Sequence, residues 1–303
     1  MLDRAVTLLV RYFPQIVVAV ALMIVPIVVL DALLQPHGAD AFGDMATLFT
    51  AHGPAAQRAA LEQMEAHSAS GSAVALVLLL TSAISLLGFN AVTAVVDAAL
   101  HGRKLDARAA YALATRRWPA QVLVGLAFLV AGGVAAVALF VAYFVLVFVI
   151  IALAAIAKSL TALAIAIGVI VGIAFLAVVL AVVSWLSMAY TLAAISVVVE
   201  DLAAGAAIGA GFRRAFGRTT AVRVLLAGLV LDALVLFGTL PVLALGALVS
   251  TLVHSHPLYY GISAVGQILI DALILTFAVV FAADVRVRRE GLDLLAAAGS
   301  APA

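Results

Sequence analysis

The chain contains no cysteine. That excludes disulfides, a thiolate nucleophile and any Cys-ligated metal, and it leaves the redox compartment unspecified. Charge is nearly as scarce. Only 10% of the 303 residues are charged and 67% are hydrophobic, where soluble domains carry about 25% and about 45–50%. No soluble core needs so much hydrocarbon, so the composition specifies a polytopic membrane protein. Chemistry-bearing motifs are missing too: no Walker loop, no HExxH and no GxSxG. We therefore expect no enzyme activity and no cofactor. Lysine occurs only at 104 and 158, so the other fourteen basic residues are Arg. With abundant Ala, that suits a bacterial genome of high GC content and a bacterial plasma membrane.

What is present is hydrocarbon in long runs. Runs of at least about 20 residues read as spanning helices. They fall at about 13–35, 73–97, 119–150, 160–199, 222–252 and 259–283. Six spans put fourteen of the sixteen basic residues on one face, with both termini cytoplasmic by the positive-inside rule. Lys158 is the misfit, between two long runs that could also divide into four. Pro is absent from 120–199 and Gly from 134–167, so breakers are scarce and two long spans are expected. Segment 36–72 becomes an extracytoplasmic loop, with a short helix starting at Pro54. Its His37, Asp40, Asp44, His52, Glu62, Glu65 and His67, even with His254 and His256, match no metal-ligand spacing.

Three stretches look alike: LLVRYFPQIVVAVAL (8–22), LATRRWPAQVLVGLAFL (113–129) and AFGRTTAVRVLLAGLVL (215–231). Each places Arg just ahead of a span. An amphipathic stretch precedes each and can lie in the cytoplasmic interface. Residues 104–118 form one, and Pro14 and Pro119 suit the first turn of the following span. The expected fold is an all-α six-span helix bundle of 1–290, open to division into three helix-plus-hairpin repeats (1–97, 98–199, 200–290), with a cytoplasmic tail at 284–303.

That tail breaks the pattern. Asp284, Arg286, Arg288, Arg289, Glu290 and Asp293 bring six charges within ten residues. Continued as a helix, they make three i,i+4 pairs worth only about 0.2–0.5 kcal/mol each. Such pairs are too weak to account for so dense a cluster. The denser alternative docks Arg286 or Arg288 on Glu200 or Asp201, and Glu290 on Arg213, Arg214 or Arg218. Gly291 would be the turn that ends the helix.

DVRVRREGLDLL resembles the C-terminal signature of the membrane-domain family named after bacterial glycerophosphoryl diester phosphodiesterases. Asp284, Arg286, Arg288, Glu290, Gly291, Asp293 and Leu294 match it, while Ala283 and Val285 replace its usual Tyr and Leu. VVVEDLAAGAAIGAGFRRAF (197–216) resembles the family's other mark through Glu200, Arg213 and Arg214. HGRKLDARAAYALATRRWP (101–119) is similar to its Gly-Arg loop. The resemblance implies a six-span, cytoplasm-anchored fold and weights the docked tail. The family's hydrolase activity resides in a separate soluble domain and is not expected here.

Within the bilayer, Asp232 and Asp271 stand near mid-depth, where an Asp costs about 2.5–3.5 kcal/mol on insertion scales. Ser263, Gln267 and Asp271 share one face of the sixth span, and Asn90, Thr93 and Asp97 stripe the second. Protonated carboxyls bonded to neighbouring hydroxyls or amides would serve as interhelical glue. A proton or headgroup path is the functional alternative. The expected function is non-enzymatic: binding or organising lipid, or scaffolding a partner, at the cytoplasmic leaflet. The alternative is a transporter or lipid flippase using Asp232 and Asp271. Arg clustered at the membrane face makes anionic lipid the expected partner rather than nucleic acid.

Overall fold

The computed structural model describes residues 1–34, 47–48, 50–51, 53–67, 71–156, 161–253 and 255–299. Among them are nine helices and no strand. They are α1 (Leu2–Arg11), α2 (Phe13–Leu34), α3 (Pro54–His67), α4 (Gly71–Leu100), α5 (Ala107–Ile156), α6 (Thr161–Val199), α7 (Ala204–Ala215), α8 (Ala221–Val253) and α9 (His256–Gly299). Six of these, α2, α4, α5, α6, α8 and α9, are long and apolar enough to cross a membrane. The two long runs at 119–199 stay two helices. Lys158 lies outside the described residues, as do His37, Asp40, Asp44, His52 and His254. The side chains of Glu65, His67 and His256 do too.

The chain packs as two compact units. Unit 1 is Met1–Trp118 with Ala233–Asp284, and unit 2 is Pro119–Asp232 with the tail from Val285. In unit 1, α1 buries Ala5 and packs on the start of α2, leaving Leu2, Val6 and Val10 exposed along one side. Pro14 is the second residue of α2, where a missing N–H costs nothing. α2 and α4 pack closely at Gly88, where a Cβ would collide with Met23. Tyr111, near the start of α5, donates to the Ala19 carbonyl of α2 at 3.0 Å.

That bond belongs to a finding the sequence misplaced. Segment 107–118 is not a separate interfacial helix. It is the beginning of α5, which runs unbroken for 50 residues with Pro119 inside it. The Ala-rich stretch before Pro119 propagates helix well. One lost N–H at a proline is tolerated in a membrane helix whose other backbone groups remain paired. Of the three expected short helices, only α1 and α7 stand apart.

In unit 2, α7 and α8 both press on α6 through glycine. A Cβ on Gly211 would stand 2.6 Å from the Ala189 carbonyl, and one on Gly228 would stand 2.7 Å from the Ser184 carbonyl. Small residues let helix backbones approach closely in lipid, where dispersion and hydrogen bonds drive association. α9 continues as helix from His256 to Gly299. Gly291 is therefore a helix residue and not the expected turn. The Leu- and Ala-rich sequence that follows it sustains the helix past the roughly 1 kcal/mol a glycine costs.

Candidate functional site

Unit 2 places two features on α6. The first is an ion pair where α6 ends. Asp201 adopts a left-handed conformation, φ 59°, which Asp tolerates better than most residues. The Leu202 N–H returns to the Ser196 carbonyl at 3.4 Å. This reversal leads into α7, whose Ala207, Ala210, Gly211 and Ala215 are buried. The same face brings Arg214 back to the α6 terminus, where it grips Glu200 with both nitrogens, at 2.6 and 2.8 Å. It also donates to the buried Ser196 hydroxyl at 2.6 Å. Only 12% of the Arg214 side chain and 15% of Glu200's is exposed, so this is a largely enclosed bidentate pair.

The neighbourhood is braced. Thr220 donates to the Arg214 carbonyl at 2.6 Å, and the Trp185 indole donates to the Ala215 carbonyl at 2.9 Å. Burial pushes the Glu200 carboxyl up. The Arg214 hydrogen bonds and charge, the Ser196 contact and the Arg286 charge outweigh that and hold it below its ordinary value of 4.5. Of the expected charge network, the structure thus brings together Glu200 and Arg214, with Arg286 near enough for its charge to act. Asp201, Arg213, Arg218 and Arg288 are exposed, and Asp284 is partly buried. The side chains of Arg289, Glu290 and Asp293 lie outside the described residues.

The second feature is a groove of about 590 Å³ between α5 and α6. Sequence reasoning missed it, because Val, Ala and Phe look alike whether they face lipid or a cavity. Gly132, Ala135 and Ala136 make the α5 wall low, opposite Val179, Val182 and Val183. Rings close both ends. At one end Phe128 meets Tyr190 edge-on at 5.7 Å and stacks on Phe212 at 5.0 Å. At the other, Tyr143 meets Phe175 at 5.4 Å. Tyr143, Ser187 and Tyr190 bring the lining's only hydroxyls, and they are the signal that could have found the groove. Gln121 is fully buried beside the Tyr190 phenol, and neither polar atom of its amide closes a hydrogen bond of ordinary geometry among the described residues.

Asp232 does not open into this groove's lining. Its carboxylate accepts a hydrogen bond from Ser184, which lies on the α6–α8 seam beside Gly228. Asp271 belongs to unit 1, where it is partly buried along with Gln267. The other expected stripe also lies in unit 1. Asn90 and Thr93 are buried, and neither polar atom of the Asn90 amide has a hydrogen-bond partner among the described residues. Asp97 is one turn before His101, whose Nδ1 lies 2.8 Å from the Asp97 carbonyl and 3.6 Å from its carboxylate. No metal-ligating cluster occurs among the described residues.

The chain matches no family model, curated protein or solved structure.

Proposed function

We propose that this protein is a non-enzymatic lipid-binding protein of the membrane, and that the α5–α6 groove holds one acyl chain. The observation that carries this reading is the groove itself: long, apolar, and closed by aromatic rings at each end. Its depth follows from helix rise. Phe128 is ten residues past Trp118 and Tyr190 ten before Glu200, about 15 Å from the charged face at 1.5 Å per residue. Tyr143 and Phe175 are each twenty-five residues from the same marks, about 37 Å. With a hydrocarbon core about 30 Å thick, the groove runs from mid-bilayer to the far headgroups. Its roughly 22 Å length suits a single extended chain, and Tyr143 sits where amphipathic rings settle.

The charged face plays the complementary part. Arg213 and Arg218 are exposed there, and each basic residue near an anionic surface is worth about 1 kcal/mol. The exposed apolar side of α1 suits insertion at an interface. On this reading the Arg-rich face engages anionic lipid on the cytoplasmic side, while the groove takes its chain from the opposite leaflet. The transporter alternative needs Asp232 in the path, and the Ser184 bond argues against that role.

The test is native mass spectrometry of protein released from mild detergent. Wild type should carry a phospholipid adduct. Ala136→Trp and Gly132→Leu, which fill the groove from α5, should lose it while remaining folded. Full retention of the adduct in both variants, or a wild type that carries no lipid, would remove the proposal.

A further inference from the structure

One end of the α5–α6 groove carries more polarity than a plain hydrocarbon chain can use. Ser187 and Tyr190 stand one turn apart on α6, at the end where Phe128 stacks on Phe212. Ser187 is exposed there and Tyr190 is partly buried. Gln121 stands seven residues before Phe128, two turns along the same side of α5. It is 0% exposed, and its amide lies beside the Tyr190 phenol. Neither polar atom of that amide closes a hydrogen bond of ordinary geometry among the described residues. A hydroxyl, a phenol and an enclosed amide thus gather at one end of an otherwise apolar groove, all within unit 2.

Polar groups enclosed away from water are ordinarily hydrogen-bonded, so an enclosed amide without a partner marks a place where something else belongs. What can belong there is limited by the lining. Among the described residues no charged side chain lines the groove. A phosphate or carboxylate at this end would lose its hydration and gain no counter-charge. A neutral oxygen meets neither obstacle. A carboxamide supplies two N–H donors, and a phenol both accepts and donates. With the Gln121 amide donating to the phenol oxygen, the Tyr190 O–H is left to donate into the groove. The apolar walls that run roughly 22 Å from here to Tyr143 take the hydrocarbon attached to that oxygen.

We propose that this end of the groove binds a neutral oxygen, a hydroxyl or a carbonyl, carried at the buried end of the lipid chain, with Tyr190 donating to it and Gln121 holding the phenol in place. The site presupposes that the groove holds a lipid chain, and it narrows the class to chains that bear an oxygen. Two sources carry that chemistry. One is a phospholipid whose acyl chain is hydroxylated at its far end. The other is a neutral single-chain lipid, such as a long-chain alcohol, that enters polar end first.

The test offers matched pairs to the full-length protein in mild detergent and reads the adducts by native mass spectrometry. The first pair is a stearoyl phosphatidylcholine and its ω-hydroxystearoyl counterpart. The second is octadecane and octadecanol. Wild type should take the oxygen-bearing member of at least one pair about ten-fold more readily, the ratio one net hydrogen bond supports. The pair that shows the preference identifies the source. Tyr190→Phe removes only the hydroxyl, so it should bring that ratio close to one while binding the plain member as wild type does. Gln121→Met should lower the ratio part of the way. Equal binding within both pairs, or a preference that survives Tyr190→Phe, would overturn the oxygen site and leave the chain-binding groove standing. A wild type that binds none of the four would remove both.

Discussion

α9 and the α5–α6 hairpin are both strongly apolar, yet they are used differently. Half of α9's most apolar window is buried within the protein, whereas none of the corresponding window of α5 or α6 is. The difference lies in what interrupts the hydrocarbon. α9 meets glycines and small residues of α8 in close register, and its own Gly266 receives Val242. Gly132, Gly133 and Gly172 of the hairpin meet nothing within 4 Å. Where glycines face a partner, helices close. Where they face open space, the helices stand apart and leave a groove. α6 shows both behaviours. Its second half is seamed to α7 and α8, and its first half is not.

The sharpest way to break this contrast is at the seam's ionic end. Arg214→Met leaves the enclosed Glu200 with only the Ser196 hydroxyl and the Arg286 charge beside it, and loss of one partner of a buried pair costs up to about 3–5 kcal/mol. The thermal midpoint in detergent should fall by more than for any single substitution in the groove. A matched reversal, Glu200→Arg with Arg214→Glu, should recover part of the loss. If Arg214→Met melts like wild type, the pair does not hold α7 to α6.

Acid probes the same contact more gently. The folded Glu200 carboxyl lies below its ordinary 4.5, so its stabilising contribution is full above that value and is lost as the pH falls below it. Thermal midpoints measured downward from neutral pH should drop through that window. Glu200→Gln should be less stable at neutral pH and should lack this component of the acid slope.

Closer to the seam's middle, Gly211→Val should cost about 1–3 kcal/mol, the usual penalty for overpacking. Asp232→Leu should cost a comparable 1–3 kcal/mol or so, through the Ser184 hydroxyl left without its partner, and Asp232→Asn much less. Equal damage from Asn and Leu would mean that the charge of Asp232, and not its shape, is what Ser184 serves. The smallest effect is expected in the open half of the same helix. Gly172→Ala should stabilise by roughly 0.5–1 kcal/mol through helix propensity alone. A loss there would show that the open half has a close partner after all.

How much of this could be read in advance differs from feature to feature. The six spans were legible because hydropathy reports transfer into lipid, which is a property of each segment alone. The Glu200–Arg214 pair was not legible: the sequence set Glu200 against Arg286 or Arg288 of the tail and Arg214 against Glu290, whereas Arg214 itself takes the Glu200 carboxylate. That Arg214 takes the carboxylate while Arg213 points outward depends on which side of α7 carries Gly211 and the buried alanines. The Ser184–Asp232 bond joins residues 48 apart, and no local pattern announces it. The fused start of α5 was hidden because proline looks like a boundary even where the surrounding helix outlasts it.

The length of α5 has a consequence for the bilayer itself. From Trp118 to Ile156 the helix rises about 57 Å, and even at a tilt of 40°, the steep end of what spanning helices adopt, it projects about 44 Å onto the membrane normal. A hydrocarbon core about 30 Å thick does not cover that stretch. The ends of the helix therefore reach into the headgroup regions, and the surrounding lipid thickens around it wherever they do not. In a mixture of membranes, a protein with such a helix partitions toward the thickest, so chain length and order in the host lipid set where it accumulates and how steeply its longest hairpin leans.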